Sequence, residues 1–423
     1  MILKKIAAAL TSAAVMLCMS SCAAEPVVRE QTKQTTITLS WWGNDSRNEY
    51  TLKAVERFEQ LHPNIKVKCN YSEWSGYEAR SRVQMISGTE ADVMQINVGW
   101  LSQYSADGNG YYDLESLGDT VDLSNFTDEM LDYGRRNGVL NAIPIAMNAE
   151  TLYINKTIYD KYGLDIPTTW EDLFDAAKVL SKDGIYPISG ADKSMWLYCI
   201  TYAEQQSGRK IFDSENRFSF TVGDMQTMID FYCRLVNEKA MPKIEDFQRF
   251  NIDNGNYAGL VAWVSDALNY FKEPIAAGNE IVAVPYTANS PERSGEGWYA
   301  KPATLYAISK NTEHPKEAAE LLDFMLNSHE WAELQGVEKG IPISASARQY
   351  LDDIGQLNGL QYEASLVMET NELISPMNSL VENSDLYNEF ISACDLVLFN
   401  KATSAEAAEQ LYETYSQTYT MAQ

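Results

Sequence analysis

Along residues 36–420 the hydrophobic pattern switches repeatedly between a period of two and a period of three to four. Ile37-Thr38-Leu39-Ser40-Trp41-Trp42 alternates small and large β-formers and stops at Gly43-Asn44-Asp45, which predicts a strand running into a loop. From Arg47 onward Leu52, Val55, Phe58 and Leu61 recur at three-residue steps, predicting an amphipathic helix that His62-Pro63 ends. Ile65-Lys66-Val67-Lys68-Cys69 alternates again. Strand, helix and strand in that order imply a right-handed crossover and a parallel pair.

The same rhythm continues. A helix is predicted over Tyr77–Ser87, then a strand over Ala91–Ile96 that ends at Asn97. Gly138–Ile145 is extended but carries Pro144, which points to an edge or crossing segment. Thr169 is placed to cap a helix beginning at Trp170, with Asp172 in the capping-box position. Further helices are predicted at Val222–Lys239, Pro315–Leu326, Ser384–Phe399 and Ser404–Tyr419, and strands at Leu260–Trp263, Ile281–Pro285 and Leu305–Ile308. Strands alternating with helices over this length predict an α/β protein of two lobes, since one sheet of that size would be unusual.

The first residues follow another logic. MILKK carries two lysines, and Ile6 to Cys18 is almost wholly apolar or small. That run falls short of the roughly 20 residues a membrane-spanning helix needs, but suits the apolar region of a secretory signal. Met19-Ser20-Ser21-Cys22 resembles the lipobox of bacterial lipoproteins, although Leu is the usual residue where Met19 stands. The resemblance implies a signal peptide over 1–21 and a lipid-modified Cys22 opening a polar tether over 22–35. The competing reading is an ordinary signal cut after Ala23 or Ala24, which discards Cys22.

Composition narrows the chemistry. The 423 residues are 45% hydrophobic and 22% charged, ordinary for a packed protein, and carry a net charge of −26. Nucleic acid and anionic membrane surfaces are therefore poor partners. Cys69, Cys199, Cys233 and Cys394 show no CxxC and no metal-ligand spacing; buried free thiols are expected, with disulfides, in any of three full pairings, the alternative that export permits. His62 and His314 precede prolines and His329 lies in a charged helical stretch, so no metal centre is predicted. No GxSxG, HExxH or GxxxxGK[ST] motif is present, and no cofactor is implied.

The ordered set TLSWWG, Phe58-Glu59-Gln60-Leu61-His62-Pro63, Gly88-Thr89-Glu90-Ala91-Asp92-Val93, Asn141-Ala142-Ile143-Pro144, Leu152-Tyr153-Ile154-Asn155-Lys156 and Pro167–Leu173, followed by Lys301-Pro302-Ala303, Ala307–Lys310 and Gly340–Ser344, resembles the family 1 extracellular solute-binding proteins of bacterial sugar importers. The resemblance implies a periplasmic-binding-protein-like fold of type II. Its N-terminal lobe would be residues 36–144 with 303–342, and its C-terminal lobe 145–302 with 343–423. The chain would cross near Ile143–Ile145, Lys301–Leu305 and Ile341–Ser344, and ligand would lie in the cleft. It also implies a monomeric, non-catalytic receptor on the extracellular face of the cytoplasmic membrane, with an oligosaccharide ligand and ABC permease subunits as partners. A secreted glycoside hydrolase is the alternative, because 59 acidic residues guarantee carboxylate pairs by chance.

Gripping a sugar takes flat aromatic faces for the apolar side of the ring and fixed polar groups for the hydroxyls. In open α/β sheets ligands sit beyond the carboxyl ends of strands. That rule selects Trp42, Asn44, Asp45 and Arg47 after the first strand, with Trp41 turned to the opposite face. It also selects Trp74 and Tyr77 after the second, with core packing an equal alternative for Trp74, and Asn97 and Trp100 after the third. Asn148 and Tyr153 flank the first crossing, Trp196 falls in an apparent polar loop, Trp263 and Asp266 follow a strand, and Trp298 and Lys301 precede another crossing. Trp170 and Trp331 sit in apolar helical patterns and are assigned to the core. TLSWWGNDSR resembles members that bind oligogalacturonides. Arg47, Arg80, Arg82 and Lys301 then either meet uronate carboxylates or make surface ion pairs, for instance with Asp45 and Glu78, around a neutral sugar.

Overall fold

The computed structural model describes residues 34–422; the predicted signal peptide (1–21), Cys22 and residues 23–33 lie outside the described residues. Among the described residues ten strands follow in chain order: β1 Thr35–Trp42, β2 Ile65–Ser72, β3 Val93–Ile96, β4 Arg135–Arg136, β5 Val139–Leu140, β6 Ile143–Asn155, β7 Gly259–Trp263, β8 Ile281–Val284, β9 Tyr299–Ile308 and β10 Ser375–Pro376. The alternating segment at 37–42 becomes β1, which pairs in parallel with β2 on one side and β3 on the other. Helices Asp45–Leu61 and Trp74–Ser87 make the crossovers.

The first helix corrects one detail. Its buried face is Tyr50, Thr51, Ala54, Val55 and Phe58, while Leu52 and Leu61 are exposed. A strict three-residue step rotates about 60° backwards each time on a helix of 3.6 residues per turn, so Leu52 and Leu61 stand on opposite sides and cannot share one face.

β9 runs antiparallel to β3, and β6 antiparallel to β9; β7 and β8 both pair with β6, and β10 joins the start of β9. β4 and β5 form a separate hairpin. Residues 143–145 are therefore not an edge. They open a strand of 13 residues, all buried, and Pro144 sits beside the irregularity where the β6–β9 register shifts around Ala146. A residue lacking an N–H fits there because the ladder is already broken.

Hydrogen bonding is thus continuous from β2 to β7, while the buried side chains gather in five clusters, two of them much larger than the rest. One core contains Ile37, Phe58, Val93, Ile143, Ile145, Tyr306, Phe324 and Trp331. The larger contains Met147, Leu152, Trp170, Phe174, Phe231, Trp298, Ala300 and Phe390. Along β6 the change falls between Ile145 and Met147, and along β9 between Ala300 and Tyr306. Ile343, whose amide donates to Ile145 O, packs against both cores.

Local signals hold in the larger core. Thr169 and Asp172 form a reciprocal capping box, as do Thr221 with Asp224 and Thr403 with Glu406. Trp170 and Trp331 are buried, each indole N–H donating to a glutamine. The four cysteines are free; Cys199, Cys233 and Cys394 are buried and Cys69 half-buried.

Glu150, in the middle of β6, is buried and accepts from the Ser194 hydroxyl at 3.0 Å and that of Tyr286 at 3.4 Å. Burial pushes its carboxyl from the ordinary 4.5 up to about 8. Between those values the folded chain holds a proton that the unfolded chain has lost, so Glu150's contribution is present below pH 4.5 and lost as pH rises through 8.

Two outcomes follow. Thr169→Ala should lower stability in chemical denaturation by about 1 kcal/mol, the usual loss for a cap. Glu150→Gln, which cannot ionise, should gain in melting temperature over the parent as pH rises from 5 to 8, on the order of 1 kcal/mol per pH unit; a constant difference across that window would refute the assignment.

Candidate ligand-binding site

The carboxyl ends of β1 and β3, with the helix after β2, bring four tryptophan and tyrosine rings into one wall. Trp42 meets Trp74 edge-on at 4.9 Å and tilts against Tyr77 at 5.4 Å; Trp100 stacks on Tyr77 at 5.9 Å and on Trp74 at 6.1 Å. Tyr77 and Trp100 form the buried base, and the Tyr77 hydroxyl is spent on Gln95 O at 2.7 Å. Trp42 and Trp74 keep partly open faces. Trp41 points the other way, as strand alternation requires, and stacks on Tyr71 at 4.7 Å.

The polar candidates beside this wall act first on their own backbone. Asn44 caps the helix Asp45–Leu61 by accepting from the Arg47 amide, and Asn97 caps Val98–Tyr104 by accepting from Gly99. Asp45 is exposed in the first turn. Arg80 lies 5.7 Å from the Tyr77 ring, and Arg82 is exposed on the same helix.

Three hollows lie along β9. A small one of about 100 Å³ is lined by Trp42, Arg47 and Gln95 from one side, Asn148 and Ser265 from the other, and Ala303, Thr304 and Lys339 between. Asn148 and Ser265 bond each other twice, the Asn148 amide to Ser265 Oγ at 3.0 Å and the Ser265 N–H to Asn148 Oδ1 at 3.2 Å. Lys339 donates to Gln95 Oε1 and to the Tyr306 hydroxyl, each at 2.9 Å. Gly340 makes this placement possible: its φ of +99° resists any side chain, and a Cβ there would come within 2.8 Å of that of Ala146.

A second hollow, about 390 Å³, adjoins along β9, where Lys301 and Pro302 line it together with Val98, Tyr133, Arg136 and Glu382. It shares Arg136, Pro376, Met377 and Ser379 with a third of about 560 Å³ that reaches Tyr299 and Lys210. Lys301 lies 4.6 Å from the Trp263 ring and bonds the Glu382 carboxylate, which also takes Lys193 at 2.8 Å. Burial opposes ionisation of Glu382, yet the two lysines hold its carboxyl below the ordinary range. Arg136 lines both larger hollows and, among the described residues, has no carboxylate partner; its Nη1 donates to Arg135 O.

Other sequence candidates fall elsewhere. Trp196 is not in a loop: it lies in the first turns of the helix Asp192–Ser207, packs on Phe390 and donates to Val381 O, wholly buried. Gly190 bridges to Val261, and the helix starts directly after Ala191. Tyr153 is buried against Phe271, and Trp298 is buried against Tyr286 with its indole N–H on Glu150 O. Asp266, beside Asn269, has its carboxyl raised by burial and faces the charge of Arg47. Gln95, Ser265, Thr304 and Lys339 escaped sequence reasoning. Only Gln95 carried a signal, as the lone polar residue of a buried strand.

The histidines stand apart, His62 with Glu320 at 3.1 Å and His329 stacked on Tyr350. Among the described residues there is no group of three or more His, Cys, Asp and Glu able to hold a metal, and no helix long and apolar enough to cross a membrane.

Comparisons place this geometry. A periplasmic oligogalacturonide-binding protein from Yersinia enterocolitica, solved with saturated digalacturonic acid, is 30% identical, with 91% of this chain and 98% of that one aligned at a TM-score of 0.78. A designed cysteine esterase aligns over 91% and 98% of the two chains at 30% identity and a TM-score of 0.83. The melibiose/raffinose/stachyose-binding protein of Bacillus subtilis is 28% identical over 189 residues, 43% of this chain and 42% of that protein, so the chain matches about two fifths of this relative's length. The family model of bacterial extracellular solute-binding proteins matches residues 44–329. A sheet whose two ends serve different cores, with hollows along its β6–β9 centre, is thus explained by descent: the chain belongs to the bacterial extracellular solute-binding proteins.

Proposed function

We propose that the chain is the receptor of an ABC sugar importer, capturing an oligosaccharide between two lobes and presenting it to permease subunits while anchored through a lipid on Cys22. The observation that carries this reading is that one hollow is lined by Trp42, Arg47 and Gln95 from the β1–β3 side of the sheet and by Asn148 and Ser265 from the β6–β7 side. A solute held there contacts both halves only when they are close, so its binding energy shifts an open–closed equilibrium. The change of core along β6 and β9, and Ile343 between them, supports hinges near 145–147, 301–305 and 341–344. Closure needs no covalent chemistry, and the reading is of a monomeric binder and not an enzyme.

The acidic form of the ligand is supported by Arg136, a half-buried guanidinium without a carboxylate partner among the described residues, and by the digalacturonic acid of the Yersinia structure. A neutral sugar is the second reading, supported by the raffinose-type ligands named for the Bacillus relative.

Calorimetric titration with digalacturonate and with raffinose decides between them: tight binding of the acid alone supports the first, of raffinose alone the second. Arg136→Gln should weaken the acid about tenfold or more, the usual cost of losing a charged hydrogen bond. Saturating sugar should raise the melting temperature and leave the sugar uncleaved; release of shorter products would favour the hydrolase. Mass spectrometry of the membrane fraction should find a diacylglyceryl group on Cys22, and Cys22→Ala should move the protein into the medium.

A further inference from the structure

Lys339 is only 4% exposed, and among the described residues no carboxylate lies within ion-pair distance of it. Its ammonium has three N–H donors. Two are used, on the neutral Gln95 amide oxygen and the neutral Tyr306 hydroxyl. Taking a cation out of water without a counter-charge costs several kcal/mol, and proteins seldom retain such a group unless something offsets it. Arg47 reaches the same hollow with a second unspent donor: its Nε is buried and makes no hydrogen bond, approaching Glu338 Oε1 only to 3.5 Å, while Nη2 donates to Glu338 O. Glu338 is thus engaged with Arg47 and lies at the half-exposed margin.

We infer that Lys339 and Arg47 receive one carboxylate of the ligand in the hollow beneath Trp42, making this pocket the place where an acidic sugar is told from a neutral one. The inference rests on the proposed sugar-receptor reading. The hollow has room for a carboxylate and the carbons that bear it, about 100 Å³, and its remaining lining of Asn148, Ser265 and Thr304 is polar. A carboxylate accepts hydrogen bonds at two oxygens, matching the two unspent N–H groups, one from a compact ammonium and one from a planar guanidinium. Burial first, and then the charge of Arg47, push the Lys339 ammonium well below its ordinary range, a strain that an incoming anion relieves. The other acid near Arg47, Asp266, has its carboxyl raised by burial and bonds Asn269.

The test compares digalacturonate with the neutral α-1,4-linked digalactose on the full chain, by calorimetry. Lys339→Met removes the charge at similar length. The variant should lose about tenfold or more in affinity for the acid and change by less than about threefold for the neutral sugar. An acid-over-neutral preference equal to the parent's would overturn the inference while leaving the receptor reading intact. A parent that binds digalactose and ignores digalacturonate would overturn the acidic reading and this inference with it. Should Lys339→Met fail to fold, Arg47→Gln at the half-exposed rim carries the test: a fall in the acid's affinity alone supports the pairing, and an unchanged preference overturns it.

Discussion

The antiparallel pairing of β6 with β9 is the element on which the rest of this molecule depends. Each strand begins in one hydrophobic core and ends in the other, with partners running from Ile143 opposite Tyr306 to Ala149 opposite Ala300. The register is irregular around Ala146, between the last residue of one core and the first of the other. A ladder disrupted at that point bends more readily than a regular one. Asn148, Lys301, Ala303 and Thr304 sit on the same ribbon and line the hollows. The segment that joins the cores therefore also floors the space between them, and any rotation of one core against the other reshapes that floor.

Charge is distributed unequally between the outside and this seam. The chain as a whole carries −26, and the hollows mix both signs, Glu129, Asp132 and Glu382 standing beside Arg136 and Lys301 while Arg47 and Lys339 line the smallest. Lys301 is neutralised by Glu382, itself shared with Lys193. Arg136 and Lys339 are not neutralised by any described carboxylate. A buried ion pair is only weakly stabilising because desolvation consumes most of the attraction, so the Lys301–Glu382–Lys193 group fixes geometry more than it adds stability. The unpaired cations are the ones whose retention calls for an external reason.

Much of the fold was legible because half-buried elements write a period into the sequence. β1 and β2 alternate cleanly, the helix between them was legible in place but not in its buried face, and the Thr169–Asp172 capping box was visible as two residues at fixed spacing. β6 was not legible as a central strand. A segment buried on both faces has no polar alternation to show, and Pro144 argued for an edge or a crossing segment. In the site, the aromatic wall of Trp42, Trp74, Tyr77 and Trp100 was found because each residue follows a strand end. Trp196, Tyr153 and Trp298 were misplaced for the converse reason: proximity to a crossing or a turn says nothing of which way an indole or phenol points. Lys339 was silent, since one lysine in a sequence reads as surface until tertiary packing covers it.

Asn44 and Asn97 lead to a further consequence. Both were expected to reach outward, and both are instead fastened to the first turn of the helix that follows them. The loops leaving β1 and β3 are thereby fixed before any solute arrives. The indoles they carry are preorganised, so ordering costs are met when the chain folds and not when the cleft fills. In the proposed receptor, selectivity at this wall would then be a matter of shape already in place.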